Sequence, residues 1–171
     1  MIHLNIGSKL ESKYGSRFDN IGIALNLLIN SKIEIIKISN LYETPSYPNS
    51  SFPKFYNIGV IVNFDGDYLN LLKKIKLIEK KLGRIKAKKN NPRTIDIDII
   101  DFKGKIKASK ELILPHPKCH LRNFVLFPIL QIDPNWSHPI LKKNAKFLIN
   151  NLNQKSRIEI TRLQKNVNIK Q

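Results

Sequence analysis

The chain has little with which to cross-link or anchor itself. Its single cysteine, Cys119, excludes an internal disulfide and therefore a disulfide scaffold, and suits a reducing compartment. No apolar run reaches the roughly 18 residues of a membrane-spanning helix. The start, Met1-Ile2-His3-Leu4-Asn5-Ile6-Gly7, lacks the basic segment and long apolar stretch of a secretion signal. A soluble, cytoplasmic protein is expected. Acidic residues are also scarce: 13 Asp and Glu face 30 Lys and Arg in 171 residues, a formal net charge of +17. The 42% hydrophobic content nevertheless supplies a core, which argues against disorder of the whole chain.

The charge has two explanations. The basic residues are 24 Lys and 6 Arg, beside 27 Ile and 19 Asn, and Lys, Ile and Asn share AT-rich codons, so mutational bias produces such a composition. A polyanionic partner, whether nucleic acid, anionic lipid or nucleotide polyphosphate, explains it equally well. Net charge alone does not choose.

Hydrophobic periodicity orders the chain. Ile2, Leu4 and Ile6 alternate as a strand over 2–6, which runs into a turn at Gly7-Ser8. Phe18, Ile21, Leu25, Leu28 and Ile29 recur at helical spacing over 17–30, with Asp19 as a cap. The β-branched segment 33–42 favours a strand. Three prolines in Thr44–Pro53 then forbid regular structure. Residues 55–64 predict a third strand and 68–82 the clearest helix, ended at Gly83. A basic loop follows over 84–91, then a strand over 94–102, a turn at Lys103-Gly104 and a return strand at Lys105-Ile106. Beyond lie Leu112 to Leu114, an apolar stretch 124–132 bounded by Pro128 and Pro134, and an amphipathic helix from about 140 to 152. One domain over 1–164 and a frayed polar tail over 165–171 are expected, with no internal repeat and no dividing linker. The order strand, helix, strand, strand, helix, strand is the ferredoxin-like α+β pattern: an antiparallel sheet with two helices on one face.

The chemistry concentrates in Pro92-Arg93-Thr94-Ile95-Asp96-Ile97-Asp98-Ile99. On a strand, residues two apart share a face, so Asp96 and Asp98 present parallel carboxylates while Ile95, Ile97 and Ile99 face the core. Adjacent carboxylates repel and call for a cation. An all-oxygen pair without cysteine suits a hard ion such as Mg²⁺, and two such ions about 3.5–4 Å apart can clamp a displacement at phosphorus. A solvated strand edge is the alternative, and Asp101, at the opposite parity, is expected to be one. Of the six arginines, Arg84, Arg93 and Arg122 fall within 84–122, and a guanidinium grips phosphate oxygens bidentately as lysine cannot.

These residues form part of an ordered set. Ile6-Gly7-Ser8, Tyr42-Glu43-Thr44-Pro45, Phe55-Tyr56-Asn57, Ile78-Glu79-Lys80-Lys81-Leu82-Gly83-Arg84, the segment 92–99, Leu114-Pro115-His116-Pro117 and Arg122-Asn123-Phe124-Val125-Leu126-Phe127-Pro128 resemble the 6-hydroxymethyl-7,8-dihydropterin pyrophosphokinase family over about residues 2–135. The resemblance implies transfer of pyrophosphate from ATP to 6-hydroxymethyl-7,8-dihydropterin in folate synthesis, on a ferredoxin-like fold, in a monomer. It implies that Asp96 and Asp98 bind two Mg²⁺ ions and that Arg84 and Arg93 stabilise the moving pyrophosphoryl group. Lys76, Glu79, Ile99, His116 and Arg122 would join these arginines in binding ATP. Phe55 and Phe124 would sandwich the pterin, Asn57 would read its edge beside Asp96, and Thr44, Pro45 and Tyr47 would form the wall. The family's usual Gly-Ser-Asn is Gly7-Ser8-Lys9 here, and the loop before Arg93 lacks the Trp-Gly pair found in many members. A basic nucleic-acid-binding module on the same fold is the alternative, but the RNA-recognition pattern K/R-G-F/Y-G/A-F-V-x-F/Y does not occur.

Overall fold

The computed structural model describes residues 1–46, 53–83, 93–165 and 167. The elements run β1 Ile2–Ser8, α1 Arg17–Asn30, β2 Glu34–Ile38, β3 Leu41–Thr44, β4 Phe55–Asn63, α2 Tyr68–Lys81, β5 Asp96–Phe102, β6 Lys107–Ala108, β7 Ile113–Leu114, α3 Asn123–Ile132, α4 Ala145–Asn150, α5 Gln154–Ile158 and β8 Thr161–Leu163. The main sheet is ordered β5-β1-β4-β3-β8, with β2 also paired to β4, and its pairings are antiparallel. This is the ferredoxin-like α+β arrangement.

Helices α1 and α2 cover one sheet face. Ile21, Leu25 and Leu28 of α1 and Leu71, Ile75 and Ile78 of α2 close over Ile2, Leu4, Ile6, Ile58, Val60, Ile97 and Ile99. Both helices begin at side-chain caps that satisfy orphan N–H groups. Ser16 caps α1, with Asp19 returning a bond to the Ser16 N–H at 2.9 Å, so Asp19 is the first-turn partner of a capping box and not the cap itself. Asp67 caps α2, its Oδ1 accepting from the Asn70 N–H at 2.7 Å.

A second core fills the opposite face, where Ile100, Cys119, Val125, Leu126, Ile129, Trp136, Leu148 and Ile149 pack together. Pro128 lies inside α3 and rests on Gly59: a Cβ added to that glycine would stand 2.8 Å from the Pro128 Cβ. Close approach of helix to sheet thus requires glycine in the middle of β4.

Several expectations are corrected. The strand expected over 33–42 is two strands, because Ser39 enters the ladder: its N–H donates to Gly59 O and its Oγ accepts from the Gly59 N–H, both at 2.9 Å. Lys105-Ile106 is not a return strand; the next hairpin pairs Lys107–Ala108 with Ile113–Leu114. The helix expected from 140 starts only at Ala145, where Asn144 Oδ1 caps the Phe147 N–H, and ends at Asn150. Strand β8, with no apolar alternation to announce it, extends the sheet beside β3. The expected polar tail is tied down at Val167, which is buried in the sheet–helix core.

Asp101 also departs from expectation. The β1–β5 register shifts between His3 and Leu4, so that Leu4 pairs with Ile99 and His3 with Asp101. The extra residue, Ile100, is a β-bulge. It returns Asp101 to the face of Asp96 and Asp98, where Asp101 is buried and accepts from Trp136 Nε1 at 2.9 Å and from the Gly104 N–H at 2.8 Å. Asp101 is a buried acceptor that joins β5 to the second core.

Candidate active site

The sheet face beneath α3 carries most of the expected site. Register places Asn5 opposite Asp98 and Gly59, Gly7 opposite Asp96 and Asn57, and Thr44 opposite Phe55. Cross-strand partners share a face, so Asp96, Asp98, Phe55, Asn57 and Thr44 converge. The alternation is as expected: Ile95, Ile97 and Ile99 are buried among the helices, while the two carboxylates are partly exposed.

Positive groups surround the pair. Arg93 Nη1 donates to Asp96 Oδ1 at 2.9 Å and Arg122 Nη1 to Asp98 Oδ2 at 3.4 Å. His116 Nε2 is 3.8 Å from the same Asp98 oxygen and 3.4 Å from Arg122 Nη1. The His116 main chain is anchored to Ile100 O at 2.9 Å, and its Nδ1 accepts from the Lys118 N–H at 3.2 Å. With Nδ1 accepting, the neutral ring carries its proton on Nε2, between the Asp98 carboxylate and the Arg122 guanidinium. Burial first, and the Arg122 charge second, push His116 down to about 4. At neutral pH it is an uncharged N–H donor beside a permanent cation.

Local bonds hold Arg93 in place. Ser8 Oγ donates to Thr94 O at 2.6 Å, Thr94 Oγ1 donates to Leu82 O at 2.8 Å, and the Lys9 and Leu10 N–H groups reach Arg93 O at 3.3 Å. The start of β5 is thus tied to the ends of both β1 and α2. Glu79, expected at the nucleotide, is 3% exposed and accepts from the Ile97 N–H at 2.9 Å, which covers the open edge of β5 between the two aspartates. Lys76 is exposed on α2, across the sheet from the carboxylates. Ile99 does not face the pair, since its side chain belongs to the core beneath α1 and α2. Tyr47 and Arg84 lie outside the described residues.

The aromatic part adjoins this charge cluster. Asn57 is buried, and Gly7 makes room for it, for a Cβ there would lie 2.8 Å from Asn57 Oδ1. Phe124 occupies the first turn of α3, with the Arg122 guanidinium 5.5 Å from its ring centroid. Phe55 is half-buried, and Pro45 follows Thr44 at its side. Two residues escaped the sequence reasoning. Lys9 is buried, with Nζ 4.7 Å from the Phe55 ring centroid and its pKa lowered by burial. Asn5 is buried and donates to Asn57 Oδ1 at 3.4 Å. Both share the parity of Gly7, opposite to Ile2, Leu4 and Ile6, and that parity was the available signal.

Comparisons with known proteins identify the family. Residues 3–134 match the family model of 7,8-dihydro-6-hydroxymethylpterin-pyrophosphokinase, HPPK. The chain is 36% identical over 145 residues to the 2-amino-4-hydroxy-6-hydroxymethyldihydropteridine pyrophosphokinase of Aquifex aeolicus, which covers 85% of this chain and 88% of that protein. It is 37% identical over 139 residues to the folic acid synthesis protein fol1 of Pneumocystis carinii, but there it spans only 18% of the relative's length. The crystal structure of wild-type Plasmodium falciparum HPPK-DHPS with pteroate matches with a TM-score of 0.71 at 18% identity, over 94% of this chain and 47% of that one, and so shares its fold. No helix among the described residues is long and apolar enough to cross a membrane. With a model match over most of its length and a full-length relative above a third identity, the chain belongs to the HPPK family.

Proposed function

We propose that this chain transfers the β,γ-pyrophosphoryl group of ATP to the hydroxymethyl group of 6-hydroxymethyl-7,8-dihydropterin. It is an ATP-dependent pyrophosphokinase of folate biosynthesis. The observation that carries the reading is the convergence of Arg122 and the His116 N–H on Asp98, with Arg93 on Asp96, beside an aromatic and amide pocket. Such a cluster has too many donors for two carboxylates alone and suits a polyphosphate.

The substrate hydroxyl oxygen bonds to the β-phosphorus and loses its proton, while the bridge to the α-phosphate breaks and AMP departs. Such a transfer depends on alignment and charge neutralisation more than on covalent help. Arg93, Arg122 and His116, with Arg84, hold the phosphate oxygens. Arg122 offers a permanent charge, and His116 a neutral N–H whose direction is fixed by its bond to Lys118. Asp96 and Asp98 fit magnesium: they are hard oxygen donors on one face with no sulfur beside them, and together they serve two ions. When bound, magnesium neutralises phosphate charge and polarises the phosphoryl oxygen. Phe55 and Phe124 stack on the two faces of the pterin, Asn57 and Asp96 read its edge, and Thr44, Pro45 and Tyr47 wall it in. Glu79 keeps β5, and hence both aspartates, in place.

The protein acts as a cytoplasmic monomer, and we assign it no nucleic-acid partner. Much of the sheet face that RNA-recognition modules leave open for bases is covered here by the second core. The test is an assay of the purified chain with ATP, Mg²⁺ and 6-hydroxymethyl-7,8-dihydropterin. AMP and the pterin diphosphate are the expected products. Formation of ADP, or no turnover by folded protein, overturns the proposal.

A further inference from the structure

Asn5 occupies the centre of β1, paired with Gly59 on one side and Asp98 on the other. Its residue is 4% exposed, and Nδ2 donates to Asn57 Oδ1 at 3.4 Å. As the two amides are set, Nδ2 is the end of Asn5 that faces Asn57 Oδ1. The other end, Oδ1, is buried and has no hydrogen-bond partner among the described residues. A buried acceptor left unmet is destabilising. Folded proteins keep few such groups, and functional sites are among the places where they persist. Nothing in the strand demands asparagine here, because β1 pairs through its backbone and an apolar residue would fill the position without the orphan oxygen.

We infer that Asn5 is a second amide in the floor of the pterin pocket: it holds Asn57 in one orientation, and its free carbonyl accepts an N–H of the heterocycle. The inference rests on the assignment of this pocket to the pterin and adds to it a residue that fixes specificity. The two amides act in series. Asn5 donates to Asn57 Oδ1, and the missing side chain at Gly7 leaves that oxygen its place. The Asn57 Nδ2 group is thereby turned away from β1, and the buried acceptor of Asn5 lies beside that donor. A reduced pterin carries ring and exocyclic N–H donors beside acceptor nitrogen and oxygen atoms, which is the complement of this pattern.

The experiment compares wild type with Asn5→Leu in thermal melts and in titrations with 6-hydroxymethylpterin, in the presence of Mg²⁺ and a non-hydrolysable ATP analogue. Leucine keeps the branching at Cγ, though it is larger, and has no orphan oxygen. The expected result is a Tm equal to or above wild type, nucleotide affinity within about twofold, and pterin affinity weaker by about tenfold or more, as loss of one buried hydrogen bond implies. Unchanged pterin affinity overturns the inference. So does equal weakening of nucleotide and pterin, which would mark Asn5 as a structural residue. Asn5→Ala, which cannot overpack, provides the same comparison if the leucine variant does not fold. Failure of wild type itself to bind the pterin would instead overturn the assignment of the pocket.

Discussion

Gly7 lies beneath Asn57 so closely that a methyl group on it would stand 2.8 Å from the amide oxygen. The contact explains the glycine of the Ile6-Gly7-Ser8 motif without appeal to backbone strain, since the position is an ordinary strand residue paired with Asn57 and Asp96. Gly7→Ala is expected to fold, because the displaced atom is the end of a side chain, but to push Asn57 off its hydrogen bond with Asn5. Pterin affinity should fall by roughly tenfold to a hundredfold, the worth of one or two misplaced buried hydrogen bonds. Nucleotide affinity should stay near wild type. Isothermal titration with each ligand measures both, and equal losses would contradict the account.

The bulge at Ile100 separates the fates of two aspartates three residues apart. Asp98→Asn keeps the shape but removes the charge between Arg122 and His116, so turnover should drop by a factor of roughly a thousand, in the range of a lost electrostatic catalytic group, with Tm little changed. Asp101→Asn should act in the opposite sense. Its amide nitrogen must face either Trp136 Nε1–H or the Gly104 N–H, donor against donor, at a cost of about 1–3 kcal/mol. The folded Asp101→Asn enzyme should turn over within a few fold of wild type. Melting curves and AMP release on both variants test this, and a stable, inactive Asp101→Asn would refute it.

How much of this was legible in the sequence depends on which force decides each feature. Alternation of Ile2, Leu4, Ile6, Ile95, Ile97 and Ile99 reveals the helix-facing half of the sheet because burial is enforced residue by residue. The facing side obeys polar chemistry and close approach, and there period gives the face of Asn5 and Lys9 but not their partners. The Asp101 parity argument failed because a single inserted residue reverses every later side chain in a strand, and no composition rule marks Ile100 as that residue. The break at Ser39 likewise turns on one hydroxyl inserted into a ladder. Asp96 and Asp98 are legible from their spacing on a strand, and Arg93 and Arg122 from their clustering in a lysine-rich chain, whereas His116 is legible only through its place in an ordered motif.

Cys119 is fully buried in the second core, and burial pushes its thiol up to about 12. The thiolate is the reactive form, so the native protein should resist thiol reagents at about pH 8. Ellman's reagent is expected to give no measurable colour until urea unfolds the chain, and then to report one thiol per molecule. Rapid reaction of the folded protein would show that the core around Trp136 and Leu148 opens readily.

Three buried histidines should set the acid limit of stability. Burial is the largest cause lowering each of His3, His116 and His138, and His116 falls to about 4. Asp133, 2.9 Å from His3, and Asp101 oppose the shifts at His3 without reversing them. In the unfolded chain a histidine takes up its proton as pH drops through about 6.5, whereas in the folded protein uptake waits for lower pH. Within that window the unfolded state binds more protons, so stability is complete above about pH 7 and declines on acidification. The urea midpoint should fall between about pH 7 and pH 5, by on the order of 1–3 kcal/mol in unfolding free energy. His3→Gln keeps a donor for Asp133 but does not titrate, so its midpoint should fall less over the same range. A wild-type midpoint that is flat or rises on acidification, or a His3→Gln variant with the wild-type slope, would show that these buried rings do not govern the acid response.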